Sequence, residues 1–323
     1  MSGLRGSVTF MRRPADLDEH EFDSLNRSFY RADPAEVIDQ RLWMLTQFLG
    51  DEQLTASESA DGVSMTRAGV PSVEERVQFV ALESTLVVHQ AAETLLRLCL
   101  AHWDNALCPW WELTKLRDRG AFPTGVKRIK NSLQSDETLD ELLHIVSWSG
   151  DKAVMDASGT WKHPDGWERH RDGLRDLIEY CCDLILDGAE LYNAGKHGLA
   201  ILPEEVEFKI NDGKILSASG PALTVIQQVN SGNERRWARV THWVKYQQSI
   251  VMCGLISSAM RSLWECGKQR RIGGADESKI TVFDRELVGK ARFVQSKMGF
   301  NTGTMSVQLF DVAHPMFVPQ PPH

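Results

Sequence analysis

The stretch from Ser72 to Trp103 constrains the fold more than any other. Ser72-Val73-Glu74-Glu75 has the form of a capping box, in which the Ser72 hydroxyl accepts an N–H of the first turn and the Glu75 carboxylate reaches back to the Ser72 N–H. After it, Val77, Val80, Ala81, Ser84, Val88, Ala91, Leu95 and Leu98 recur at three- and four-residue steps. That spacing predicts one long helix, to about Trp103, with a stripe facing a core.

Other helices are expected around it. Asp33-Pro34-Ala35-Glu36 starts one, with Asp33 as cap and Pro34 in the first helical place, ending near Gly50. Residues 1–32 are poorly patterned, and residues 51–71, rich in Ser, Gly, Ala and Asp, read as a flexible linker. Cys108-Pro109-Trp110-Trp111 breaks the long helix, and shorter helices are expected at 124–133 and 136–147. A loop over 149–165 leads to a helix over about 166–196, where Leu174, Leu177, Ile178, Cys181, Ile185 and Leu191 keep helical spacing.

After Gly198 the period changes. Val206, Phe208 and Ile210 alternate with charged residues, Asn211-Asp212-Gly213 supplies a turn, and Lys214 to Ala218 returns as a hairpin. Strands are further expected at 223–229, 237–244, 280–283 and 305–310, with a helix at 247–266. The expected fold is α+β: a mostly helical bundle followed by an antiparallel sheet with a packed helix. The expected organisation is an extension with one helix and a linker (1–71), the bundle (72–198), the sheet with its helix (199–312) and a Pro-rich tail (313–323).

Composition narrows the function classes. Charged residues make up 25% and AVILMFWYC residues 42%, which is ordinary for a globular chain. No run approaches the roughly 18 apolar residues of a membrane-spanning helix, and Met1 to Arg13 lacks the apolar centre of a signal peptide. The six cysteines form no CxxC pair. Reduced, buried thiols and a cytoplasmic location are expected, with no metal and no cofactor. Charge is uneven: residues 199–323 carry 15 basic and 11 acidic side chains, a balance of +4, and residues 1–198 carry 21 and 33, a balance of −12.

Four segments could carry chemistry. On the first long helix His89, Glu93 and Arg97 share a face at i, i+4 and i+8, where Glu93 can pair with Arg97 or His89; the bland reading is a polar stripe that sets helix register. At the end of the later helix stand Tyr192, Asn193, Lys196 and His197. There an imidazole beside a cation and an amide could act on a ribose hydroxyl or hold a phosphate; the bland reading is helix capping, with Gly198 left-handed. The third, Trp161 to His170, holds His163, Asp165, Glu168 and His170, yet fits no metal-site spacing. The fourth is basic clustering, Arg235, Arg236 and Arg239 interleaved with Trp237 and Trp243, then Lys268, Arg270 and Arg271, which could bind single-stranded nucleic acid by charge and stacking; the bland reading is core tryptophans and solvated arginines.

The first two segments together resemble the HEPN superfamily of small helical bundles: a helix reading His89-Gln90-Ala91-Ala92-Glu93, then a later helix ending Tyr192-Asn193-x-x-Lys196-His197-Gly198. The resemblance spans residues 72–198. It implies a homodimer, and either a metal-independent RNase of a defence system or an inactive relative that binds a nucleotide or a partner protein. As an enzyme, the chain would use His197 as base or phosphate ligand, with Asn193 and Lys196 positioning the phosphate. As a binder, it would hold its ligand with His89, Glu93, Arg97 and Tyr192. Active members carry Arg, four to six residues, then His. The corresponding places before His197 hold Tyr192, Leu191 and Glu190, so no Arg is present. Lys and Arg are not interchangeable at a phosphate. The primary expectation is therefore a non-catalytic protein binding a nucleotide, RNA or protein partner. The alternative is the RNase.

Overall fold

The computed structural model describes residues 17–50, 57–60, 63–66, 69–103, 106–147, 164–196, 201–211, 215–231, 234–273, 281–292 and 306–311. Helix α1 (Glu19–Phe29) and helix α2 (Pro34–Gly50) come first, followed by a small hairpin of β1 (Ser57–Ala60) and β2 (Val63–Thr66). The central helix α3 spans Val73–His102, followed by α4 (Pro109–Lys115), α5 (Ala121–Ser132) and α6 (Asp136–Ser147). Then come α7 (Pro164–Asp187), α8 (Ala189–Lys196), and strands β3 (Ile201–Asn211), β4 (Ile215–Ser231) and β5 (Glu234–Trp243). Helices α9 (Tyr246–Ile272) and α10 (Arg285–Arg292) and strand β6 (Ser306–Asp311) complete an α+β fold that is mostly helical with a small antiparallel sheet.

The start of α3 follows its sequence signal. Glu75 N–H donates to the Ser72 hydroxyl at 3.1 Å, and the Ser72 N–H donates to the Glu75 carboxylate at 2.7 Å. The Asp33 carboxylate likewise accepts from the Ala35 N–H at 2.8 Å, which fixes the start of α2. The single stripe expected on α3 is too narrow, however. Val87, Ala92, Leu96 and Cys99 are as fully buried as Ala91 and Leu95, because α2, α7 and α9 pack on different sides of α3. Each such leucine contributes roughly 2 kcal/mol by leaving water.

The main core runs from Tyr30 and Ile38 through α3, α5, α6 and α7 to Met252, Leu263, Phe283 and Val288. It therefore crosses the boundary expected at residue 198: α9 and α10 follow the sheet in sequence and share the core of the helices before it. A second, smaller core lies under the sheet, where Ile201, Leu223, Val225, Ala238 and Val240 meet Ala81 and Leu82 of α3 and Leu191 and Ala194 of α8.

The sheet is an antiparallel meander ordered β3-β4-β5-β6. Ile201 pairs with Val225 and Val225 with Val240, so these three share the face of the smaller core, whereas Ala222, Thr224, Thr241 and Trp243, also buried, lie on the other. The hairpin and the third strand expected around 214–229 are one continuous strand. It passes through Gly220 at φ 128°, a backbone conformation open to glycine, which is why the sequence there resembles a boundary.

Other expectations are corrected. A capping box between Asp18 and Glu21 opens α1 inside the stretch read as unpatterned, and the linker over 51–71 contains the β1–β2 hairpin. The long helix does end before Cys108, at His102, and Pro109 then starts α4. The helix over 166–196 is broken at Gly188 into α7 and α8. Residues 281–283 are not a strand; the Thr281 N–H donates to the Ser262 hydroxyl at 3.0 Å and Phe283 is buried against the helices. The loop at 149–163, the turns at 212–213 and 232–233, Gly198 and the tail at 313–323 lie outside the described residues. No helix among the described residues is long and apolar enough to cross a membrane.

Candidate functional site

The break at Gly188 lets α8 turn back onto α3, and this brings the first two sequence segments together. The ring of His89 on α3 stacks on the ring of Tyr192 on α8, with centroids 5.4 Å apart and planes 4° apart. Gly195 permits the close approach, since a Cβ there would come within 2.7 Å of the Leu86 side chain. The Lys196 ammonium lies 5.5 Å from the centre of the Tyr192 ring. Asn193 and Lys196 are exposed. His197 lies outside the described residues.

His89 has a backbone carbonyl at each ring nitrogen, and the neutral ring donates to one of the two. Nδ1 lies 2.9 Å from the Thr85 carbonyl oxygen and Nε2 lies 3.0 Å from that of Gly188. The second contact clamps the α7–α8 joint to α3. The two carbonyls favour the charged ring, but burial outweighs them and holds the pKa below the ordinary value. Burial and the nearby Glu93 carboxylate raise the pKa of Tyr192.

The rest of the α3 stripe is also engaged. The Arg97 guanidinium donates to Glu93 at 2.8 Å and to the Leu116 carbonyl at 3.2 Å. Its plane stacks over Phe122 at 4.1 Å from the ring centre. One turn earlier Arg41 of α2 bridges Gln90 and, at 2.9 Å, Glu83. Of the two pairings open to Glu93, the structure makes the one with Arg97.

Beside His89 lies a cavity of about 300 Å³ between α3, the α7–α8 joint and the β5–α9 junction. Val88, Leu184, Leu191 and Val244 give it an apolar surface. Asp187 and Glu190 come from the α7–α8 joint, and Lys245 and Gln248 from the opposite junction. His242 of β5 also faces it, with its pKa lowered by burial. None of these five polar residues was expected at a site from the sequence. They carry no shared motif, and only Asp187-Gly188-Ala189-Glu190, a helix stop followed by a helix start, hinted at the joint.

The sheet segment behaves differently. On the face away from the helices, Trp237 is exposed, and the Arg239 guanidinium donates to both carboxylate oxygens of Glu204, at 3.1 and 2.9 Å. The side chains of Arg235 and Arg236 lie outside the described residues. In the remaining segment, His170 is fully buried and its Nδ1 accepts from the Phe283 N–H at 2.9 Å, so it holds a loop. No group of three or more potential ligands capable of holding a metal ion occurs among the described residues.

A comparison with family models, with curated proteins and with solved structures finds no match to this chain.

Proposed function

We propose that the chain is a binding or regulatory protein whose helical module resembles the HEPN bundles and does not cut RNA. The observation that supports this reading is the cavity beside His89; the α3 stripe expected to hold the ligand is itself engaged within the protein. A general base must offer a nitrogen to a substrate hydroxyl, and both nitrogens of His89 face backbone carbonyls. A phosphate ligand needs an open guanidinium fork, and that of Arg97 is taken by Glu93 and Leu116. The stripe thus braces the two helices, and the adjacent cavity is where a small ligand would sit. A nucleic acid or protein partner would instead use an exposed face, such as that of Trp237.

The RNase reading keeps one supporting observation. Asn193 and Lys196 stand exposed on α8, next to the position of His197. Incubation of wild type and His197→Ala with total RNA in EDTA separates the two. Intact RNA in both lanes is the expected result, and cleavage by wild type alone would overturn the binding reading.

A further inference from the structure

We propose that the cavity beside His89 binds a small uncharged heteroaromatic molecule carrying an N–H donor, of which indole is the simplest. The proposal rests on the binding reading and names its ligand class. The volume of about 300 Å³ is at the small end for ligand sites, which suits one fused ring system without long substituents. Val88, Leu184, Leu191 and Val244 give apolar walls, and the rings of Tyr180 and His89 add aromatic ones. An aromatic body gains from such walls both by leaving water and by ring contacts.

Gln248 supplies the polar anchor. It is buried, with 8% exposure, and it lines the cavity. Its amide nitrogen donates to the Arg292 carbonyl, which can only accept, so the orientation of the amide is fixed. The amide oxygen is hydrogen-bonded by no described residue and stays an acceptor. A buried acceptor without a donor is unfavourable, and a ligand N–H relieves it. Polar groups beside it are already engaged: the Thr85 hydroxyl donates to the Ala81 carbonyl at 2.8 Å, and each His89 nitrogen faces a backbone carbonyl.

Charge argues for a neutral ligand in this place. Asp187 and Glu190 stand exposed to solvent, Lys245 is engaged within the protein, and burial holds His89 and His242 toward the neutral form. A phosphate needs several cations around it, which this lining does not offer. A nucleobase carries several donors and acceptors around its edge, and the apolar walls would leave most of them unpaired.

The test is calorimetric titration of the full chain with indole. The comparators are 1-benzofuran, in which an ether oxygen replaces the N–H, adenine and AMP. The expected result is saturable binding of indole, weakened at least about tenfold in benzofuran, because the Gln248 oxygen then meets no donor. Gln248→Leu should bring indole and benzofuran within about threefold of each other, since the two changes remove the same interaction. Circular dichroism confirms the fold of the variant. Should that variant melt, the comparison of indole with benzofuran on wild type still decides between the outcomes. No binding of indole, or benzofuran that binds as tightly, would overturn the proposal. Adenine or AMP bound in place of indole would do so too, while sparing the binding reading, whereas RNA cleavage by wild type would remove that reading itself.

Discussion

The Tyr30 hydroxyl lies 2.6 Å from Nε2 of His102, 72 residues away in sequence, and both side chains are buried. Nδ1 of His102 faces the Leu98 carbonyl at 2.8 Å, so that nitrogen carries the hydrogen and Nε2 accepts from the tyrosine. The pair joins α1 to the end of α3, among the rings of Phe29 and Trp264.

This pairing makes stability depend on acid. Burial lowers the pKa of His102 from 6.5 to about 4, and that of buried His170 to about 4 as well. As pH falls from 6.5 toward 4, the unfolded chain takes up protons that the folded chain refuses. Stability is therefore full above the unfolded value and is lost as pH falls, until the folded value is reached. The loss should be up to about 3 kcal/mol for each histidine. Urea unfolding at pH 7 and pH 4.5 measures it; midpoints that coincide would contradict the prediction.

Two glycines of α9 should respond in opposite directions. A Cβ at Gly267 would lie 2.6 Å from both His102 Nε2 and the Tyr30 hydroxyl, whereas at Gly254 nothing lies within 4 Å. Gly267→Ala should cost about 1–3 kcal/mol through overpacking. Gly254→Ala should gain roughly 0.5–1 kcal/mol through helix propensity. Thermal melts of the two variants against wild type are the check.

The clamp between His89 and Gly188 predicts a local effect. His89→Ala removes the ring stack with Tyr192 and the tie to the α7–α8 joint. Global stability should fall by about 1–3 kcal/mol. Amide hydrogen exchange should accelerate in residues 189–196 more than in α9, and uniform acceleration would show that His89 braces the whole core instead.

All six cysteines are free and buried. Burial raises their thiol pKa values, to about 12 at Cys182, Cys253 and Cys266. A thiol reagent at pH 8 should therefore find little to react with in the native protein and six groups after denaturation. A fast-reacting native thiol would count against this packing.

The sequence by itself determined the local elements. Ser72 with Glu75 and Asp33 with Pro34 satisfy helix ends through neighbours a few residues away. Glu93 with Arg97 needs only one helical turn. The alternation of Val206, Phe208 and Ile210 marks a strand, and β3 runs through them, but the core contact of β3 is made by Ile201, five residues before Val206 and so on the other face. These signals are short-ranged, so a linear reading captures them. It also brought the His89 and Tyr192 segments under one resemblance, and the structure brings those segments into contact.

Only the tertiary structure decided how α3 is surrounded, why the chain breaks at Gly188, and which polar groups meet. The partners of His102, His170 and Asp39 are Tyr30, Phe283 and Arg261, each far away along the chain. The cavity polar groups Asp187, Glu190, Lys245 and Gln248 come from two separate joints between elements. Such arrangements arise from packing several faces at once against a common core. No local spacing encodes them, because the hydrophobic driving force is non-directional and fixes partners only when all the elements are in place.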